Sequence, residues 1–172
     1  MFIDHGFDIS PTRIIDLFKN LSKALIAEGF KVKFFTNGNP NDNKTANEIK
    51  LALEEEGISV QCRIPTEPKE LVNNIAEFQA IIASRLHSCI IAYSLDIPAI
   101  GLVWNDKLTF FGKSIGAEQY YIKAEQMTVN YIMAKLNEAN KVKYDKVIKD
   151  SYRNTIVENI NLIHKILINK QI

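Results

Sequence analysis

Five short apolar runs alternate along the chain with stretches whose apolar residues recur at helical spacing. The runs begin about 20 residues apart, and the third and fourth, 80–83 and 99–104, are apolar without alternation. Continuous apolarity indicates strands that are buried on both faces, as in a parallel sheet. Parallel strands separated by helices are joined by right-handed crossovers. The sequence therefore predicts a Rossmann-like, three-layer α/β/α domain with a mainly parallel sheet.

The pattern also predicts the bounds of the elements. The predicted strands are 31–35, 58–62, 80–83, 99–104 and 120–122. The predicted helices are 11–28 after a Ser10 cap, about 45–56, 69–78, 86–95, 107–115, 129–136 and a long terminal one over about 148–167. Residues 36–42, with the sequence TNGNPND, are dense in turn formers and are predicted to be a turn.

Composition narrows the class of protein. The 172 residues fit a single domain, 1–172, and the net charge of +1 comes from 21 basic and 20 acidic residues mixed along the chain, which argues against nucleic-acid binding. The two cysteines, Cys62 and Cys89, lie in apolar segments and are predicted to be reduced, as in the cytoplasm. We find no signal-peptide layout and no apolar run near the roughly 20 residues that span a bilayer.

A polar group interrupts the apolar sequence directly after the third predicted strand. In doubly wound sheets, ligands bind beyond the carboxyl ends of strands. Ser84 is predicted to cap the following helix, whose first N–H groups suit a phosphate or carboxylate. Arg85 adds a planar fork of donors, and His87 can transfer protons near neutral pH. The residues indicate an anion site with a proton donor, although they could equally satisfy nearby backbone carbonyls.

The remaining candidates carry weaker signals. Asn37 and Asp42 could line the mouth of this site, but their segment also has the composition of a surface turn. His164 is predicted to pack, partly buried, in the terminal helix, and His5 has no partner cluster. The cysteines lack metal-ligand spacing, and no Gly-x-Gly-x-x-Gly or Walker-type loop supports binding of a dinucleotide or nucleoside triphosphate.

The segment SRLHSCIIAYSLDIPAIGLVWNDK, residues 84–107, resembles the signature of the polysaccharide pyruvyl transferase family. The matching features are the Arg-Leu-His triplet at 85–87, the small Ala92, the Ile97-Pro98 break, the aliphatic strand from Ala99, and Lys107. Upstream, the order of a helix, the 31–35 strand, a turn carrying Asp42 and a second helix is also similar. Trp104 departs from the pattern, which more often has a tyrosine near this position.

The resemblance implies a domain like the C-terminal, donor-binding half of a two-domain enzyme of glycosyltransferase-B type, with an N-terminal domain completing the acceptor side. The implied reaction transfers a pyruvyl group from phosphoenolpyruvate to two hydroxyls of a saccharide, as a ketal, in cell-surface or exopolysaccharide biosynthesis. Arg85 would clamp the donor and His87 would be the general acid. Ser84, Leu86, Ser88 and Lys107 would contribute to donor binding, with no metal and no cofactor beyond the donor substrate.

Two other functions stay open on the sequence alone. The same helix terminus could hold the diphosphate of a nucleotide sugar, as in a glycosyltransferase. The domain could also be non-catalytic and bind an anion or a partner within a biosynthetic complex. The acceptor sugar, the regiochemistry and stereochemistry of the ketal, and the oligomeric state cannot be read from the sequence.

Overall fold

The computed structural model describes residues 11–169, apart from the side chains of Pro11 and Asn169. The predicted Ser10 cap and His5 lie outside the described residues. The helices are α1 Pro11–Ala27, α2 Pro40–Glu54, α3 Pro68–Ala76, α4 Leu86–Ser94, α5 Asp106–Ser114, α6 Val129–Ala139 and α7 Lys146–Asn169. The strands are β1 Lys33–Phe35, β2 Gln61–Arg63, β3 Ile81–Ala83, β4 Ala99–Leu102 and β5 Tyr121–Ile122.

All three strand pairings are parallel, which confirms the predicted Rossmann-like α/β class. β1 pairs with β2, and β4 lies between β3 and β5. Helices α4 and α6 both contact β4, whose four residues are all buried, so this strand is covered on both faces. In the described part of the chain, no ladder hydrogen bond joins β1 to β3, and the sheet therefore consists of two separate halves.

The hydrophobic core follows this division. A large cluster surrounds β3, β4 and β5 and includes fully buried Ile75, Ile100 and Ile132. A smaller cluster lies beneath α2 and β2 and consists of Ile49, Leu53 and Val60. Helix α1 packs against both α2 and α6, and so spans the two halves of the sheet.

The predicted turn at 36–42 is partly wrong, because α2 begins at Pro40 rather than near Thr45. Asn39 caps the helix by accepting a hydrogen bond from the Asn41 amide at 3.0 Å, and Pro40 occupies the first helical position, where its missing N–H costs nothing. Asp42 therefore lies in the first turn of a helix rather than in a loop. The carboxylate is held on a regular element and gains from the helix dipole.

Helix α7 also differs from the sequence prediction. The first turn contacts the domain through Lys149, which forms an ion pair with Asp96 at 2.5 Å. Residues 151–168 are all exposed, so the prediction that His164 packs partly buried is wrong. The apolar residues of this range whose regular spacing predicts the helix are therefore exposed to solvent. Within residues 11–169, no helix has the length and apolarity needed to cross a membrane.

Candidate functional site

The loops that follow β1 and β3 meet at the carboxyl edge of the sheet. They border a cavity of about 1090 Å³ that extends from this edge along both strands. The polar residues that line its outer end include Asn37, Asp42, Ser84, Arg85 and Ser88. The first two come from the segment around the start of α2, the next two from the turn between β3 and α4, and Ser88 from the first turn of α4. A cavity at this edge is where parallel α/β sheets bind ligands.

Arg85 forms the central contact of the site, a two-point ion pair with Asp42. Arg85 Nε donates to Asp42 Oδ2 at 2.8 Å, and Arg85 Nη2 donates to Asp42 Oδ1 at 2.7 Å. The side chains are 27% and 10% exposed, so the pair is only partly screened by water. Burial acts to raise the pKa of Asp42, but the hydrogen bond and charge of Arg85 act in the opposite direction, and the net pKa is lowered.

The pairing leaves one edge of the guanidinium unused. A guanidinium carries five N–H groups, and Asp42 accepts from two of them. Among residues 11–169, Arg85 has no further hydrogen-bond partner, so the edge formed by Nη1 and Nη2 can still receive an anion in two-point geometry. Asp42 thus orients the guanidinium without using all its donors.

Trp104, in the loop after β4, holds the turn between β3 and α4 in place. Its Nε1 donates a hydrogen bond to the carbonyl oxygen of Ser84 at 2.5 Å. The Arg85 guanidinium carbon lies 5.6 Å from the centre of the indole ring, within the range of a cation–π contact. From the sequence, Trp104 is predicted to end the fourth strand and departs from the family pattern, and neither feature predicts these contacts. In the structure, Trp104 contacts both Ser84 and Arg85, the two residues of the turn between β3 and α4.

A second polar network joins the same two loops. Buried Ser88 donates its hydroxyl proton to Asn37 Oδ1 at 2.8 Å. Next to Asn37, the Thr36 hydroxyl bonds to Asn43 Oδ1 at 2.6 Å and accepts from the Gly38 amide at 3.1 Å. Gly38 has φ of +84°, a conformation that favours glycine. The bond between Ser88 and Asn37 links the two sides of the cavity mouth, and the Thr36 bonds order the segment that carries Asn37.

The prediction that Ser84 caps α4 is wrong. The N-cap is Arg85, and it makes no side-chain hydrogen bond to the first turn. The carbonyl of Ser84 is engaged by Trp104 instead, which draws this residue back toward β4. No acidic side chain lies in the first turn of α4. Within residues 11–169, the amide groups at this helix start therefore lack the capping side chain that usually accepts their hydrogen bonds.

The structure does not bring all the predicted residues into the cavity. Ser84, Arg85 and Ser88 line it, but His87 is on the exposed side of the first turn of α4. Lys107 is also exposed, in the first turn of α5, and does not line the cavity. Leu86 is half-buried and packs against the main core. Three of the candidates thus form the wall, and His87 and Lys107 remain open to solvent.

Two residues that sequence analysis left open belong to the site. Asp42 lies 43 positions before Arg85 and Asn37 lies 51 positions before Ser88, yet both are in direct contact with those partners. The available signal was that acidic and amide side chains follow one strand while a basic residue follows another. Crossover topology places such ends at the same edge of a parallel sheet.

The fold and cavity together define a Rossmann-like α/β domain with a polar, arginine-containing site at the carboxyl ends of its strands. Residues 8–106 match a sequence model of the polysaccharide pyruvyl transferase family, and the chain belongs to that family. The matched range includes every residue of the cavity mouth and ends immediately before Lys107. Searches of curated proteins and of solved structures give no significant match.

Proposed function

We propose that this chain forms the donor-binding part of an enzyme that transfers a pyruvyl group from phosphoenolpyruvate to two hydroxyls of a sugar. The observation that carries the proposal is the oriented guanidinium of Arg85, which lies at the carboxyl edge within the segment matched by a transferase family. Phosphoenolpyruvate bears a carboxylate and a phosphate. Either group can accept two parallel hydrogen bonds from the remaining edge of Arg85.

In this reaction the methylene carbon of the donor gains a proton, and the central carbon forms bonds to two sugar oxygens. The bond between this central carbon and the bridging oxygen of the phosphate breaks, and the phosphate leaves with the electron pair of that bond. Of the two protons lost by the hydroxyls, one balances the new methyl group and the other goes to phosphate. Arg85 would offset the negative charge on the donor, and the amides at the start of α4 would add a second donor group.

His87 is the proposed general acid toward the methylene carbon or the departing phosphate. Its exposed position, two residues after Arg85, requires the reacting carbon to lie at the mouth of the cavity rather than deep inside it. Ser84 and Ser88 would shape the polar wall, Leu86 would support the turn from the core, and Lys107 would add positive charge outside it. The acceptor sugar would approach from the open side, where we expect an N-terminal domain to complete the site.

Ligand-induced thermal stabilisation tests the donor. We expect phosphoenolpyruvate to raise the melting temperature and nucleoside diphosphates to leave it unchanged, because a ligand that binds only the folded state stabilises it. Arg85→Ala should weaken this binding about tenfold or more, the loss expected for a charged two-point contact. Arg153→Ala, on the exposed part of α7, is the matched control and should bind normally.

Stabilisation by nucleoside diphosphates but not by phosphoenolpyruvate would contradict the proposal and indicate a nucleotide-sugar glycosyltransferase instead. Stabilisation by neither ligand would favour a non-catalytic domain. The role of His87 needs a separate assay, the release of phosphate from phosphoenolpyruvate in the presence of a sugar diol, by a form of the protein that also contains the N-terminal domain and turns over before substitution. His87→Ala should lower turnover about 10²-fold to 10⁴-fold and change donor affinity little. His164→Ala is the matched control, and equal turnover in both variants would remove His87 from the mechanism.

A further inference from the structure

Trp104 lies on a short link whose backbone is held at both ends. Before it, Val103 extends the pairing beyond β4 by donating its amide hydrogen to the carbonyl oxygen of Ile122 at 2.8 Å. After it, Asn105 caps α5 by accepting a hydrogen bond from the Leu108 amide at 3.4 Å. The backbone of Trp104 is therefore fixed by the sheet on one side and by a helix start on the other.

The side chain of Trp104 reaches from this link to the end of the neighbouring strand. β4 lies between β3 and β5, and all four of its residues are buried. Val103 bonds toward β5, whereas the indole Nε1 bonds toward β3, to the carbonyl oxygen of Ser84 at 2.5 Å. Trp104 thus ties the turn that carries Arg85 to the central strand of the larger half of the sheet.

The ion pair with Asp42 does not do this, because it joins Arg85 to the other half of the sheet. Asp42 lies on α2, which connects β1 to β2, while Arg85 follows β3. In the described part of the chain, no ladder hydrogen bond joins β1 to β3. Asp42 therefore holds the guanidinium, and Trp104 holds the backbone from which the side chain of Arg85 extends. With both ends held, Arg85 has less rotamer freedom to lose when it binds an anion.

The indole ring adds a second contact to the same arginine. The guanidinium carbon of Arg85 lies over the ring of Trp104, 5.6 Å from its centre. The ring is partly buried and packs against the main core. A guanidinium that contacts an aromatic face still presents its N–H groups at its edges. The contact with Trp104 is therefore compatible with a two-point bond from the remaining edge of Arg85 to an anion.

We propose that Trp104 is a positioning residue that holds the remaining edge of Arg85 in place for the anionic group of the donor. It acts in two ways, through the backbone of Ser84 and through the guanidinium itself. The inference rests on the proposed function for the identity of the donor, but the effect of Trp104 on Arg85 does not depend on that identity. Removing the indole should weaken donor binding because Arg85 is then less preorganised.

Calorimetric titration with phosphoenolpyruvate measures this effect. We expect Trp104→Phe, which keeps a ring but has no N–H donor, to weaken binding about threefold, and Trp104→Leu, which loses both contacts, about tenfold or more. Phe111→Leu is the matched control, because its ring packs against Tyr93 and Tyr121 and does not line the cavity. It should change binding less than about twofold. If Trp104→Leu does not fold, Trp104→Phe provides the comparison.

A double-mutant cycle separates positioning from a general effect on the turn. Arg85→Lys keeps a positive charge but loses the planar fork that Asp42 and the indole orient. In this background, Trp104→Leu should cost less than half of its effect in the parent on a logarithmic scale, since residues that act together are not additive. An equal loss in both backgrounds would overturn the inference, because Trp104 would then support the turn without acting through Arg85.

A measurement without ligand distinguishes this inference from the proposed function. In heteronuclear NMR spectra, the Nε proton of Arg85, which is bonded to Asp42, should exchange with solvent about tenfold faster in Trp104→Leu than in the parent, and at the parent rate in Phe111→Leu. This result without binding of phosphoenolpyruvate to the parent would refute the proposed donor and leave the role of Trp104 standing. Unchanged exchange in the Trp104 variants, or unchanged affinity where the parent binds the donor, would overturn the inference.

Discussion

At the scale of single residues, the site depends on how Asp42 positions Arg85. An isolated arginine samples many rotamers, whereas two bonds to one carboxylate fix both the direction and the plane of the guanidinium. The indole ring of Trp104 contacts the guanidinium and restricts its position further. Arg85 was predictable as a candidate anion-binding residue from its position after a strand. Asp42 was predictable only as a possible lining residue of the same mouth, and its pairing with Arg85 was not, because 43 residues separate them and only the fold brings them together.

The lowered pKa of Asp42 gives stability a defined pH dependence. Its contribution is complete above the unfolded-state pKa of about 3.9 and is lost as pH falls through the lower folded-state value. We expect Asp42→Asn to be about 1–3 kcal/mol less stable than the parent at pH near 7, because a charged hydrogen-bonded pair is lost. The difference should shrink at pH near 2. Urea unfolding at both pH values measures it.

Asp150→Asn, on the exposed surface of α7, is the matched control for this measurement and should leave stability unchanged within about 0.5 kcal/mol. An equal deficit for Asp42→Asn at both pH values would show that the ionised pair does not stabilise the fold.

At the scale of elements, the local pattern predicted a segment that overlaps each α-helix and β-strand of the described chain, but not the short 3-10 helices Glu118–Tyr120 and Ala124–Gln126. The second strand was predicted over 58–62 but is Gln61–Arg63 in the structure.

Two other boundary errors occurred where side chains outside the periodic pattern decide the boundary. Asn39 and Pro40 start α2 inside a segment that reads as a turn. Trp104 was predicted to end β4, but it leaves the strand and bonds back to Ser84. Both errors arise because a cap or a distant contact competes with periodicity at the end of an element.

Tyr121 of β5 shows how closely the elements approach one another. Its ring lies against Gly101 of β4 and Gly112 of α5, and a Cβ on Gly112 would fall 2.5 Å from the ring. We expect Gly112→Ala and Gly101→Ala each to destabilise the protein by about 1–3 kcal/mol, because the buried ring cannot move aside without strain. Denaturant midpoints at constant slope measure this loss.

The matched control places each substitution in a Tyr121→Ala background, where the ring is absent. The cost of adding the methyl group should then fall by at least half, since residues in contact are not energetically independent. Purely additive losses would mean that the glycines are needed for a reason other than the ring of Tyr121.

At the scale of the whole molecule, two half-sheets of unequal size share one domain. The larger half has an extensive core, whereas the smaller half rests on Ile49, Leu53 and Val60. Helix α1 packs across both, but no ladder bonds join β1 to β3 in the described residues. The smaller half should therefore open at a lower free energy than the larger one.

The two cysteines report this difference, one in each half. Cys89 is fully buried in the larger core, and burial raises the pKa of its thiol to about 12. Cys62 on β2 is half-buried, and burial raises its thiol pKa as well. Because thiolates react with alkylating reagents, we expect Cys62 to be labelled first in low urea and Cys89 only as the larger half unfolds. Mass spectrometry of peptides measures both rates.

Single-cysteine variants, Cys62→Ser and Cys89→Ala, provide the controls by assigning each labelling phase to one thiol. Labelling of Cys89 at the same urea concentration as Cys62 would show that the two halves unfold together.

The α/β class, the approximate elements and the expectation of a site after the third strand follow from the sequence alone. These features are encoded locally, in apolar period, turn residues and the order of elements along the chain. Only the tertiary structure shows that Asp42 holds Arg85, that Trp104 supports the turn, that His87 faces solvent, and that a cavity lies between β1 and β3. Such contacts depend on which distant segments become neighbours, and no local pattern contains that information.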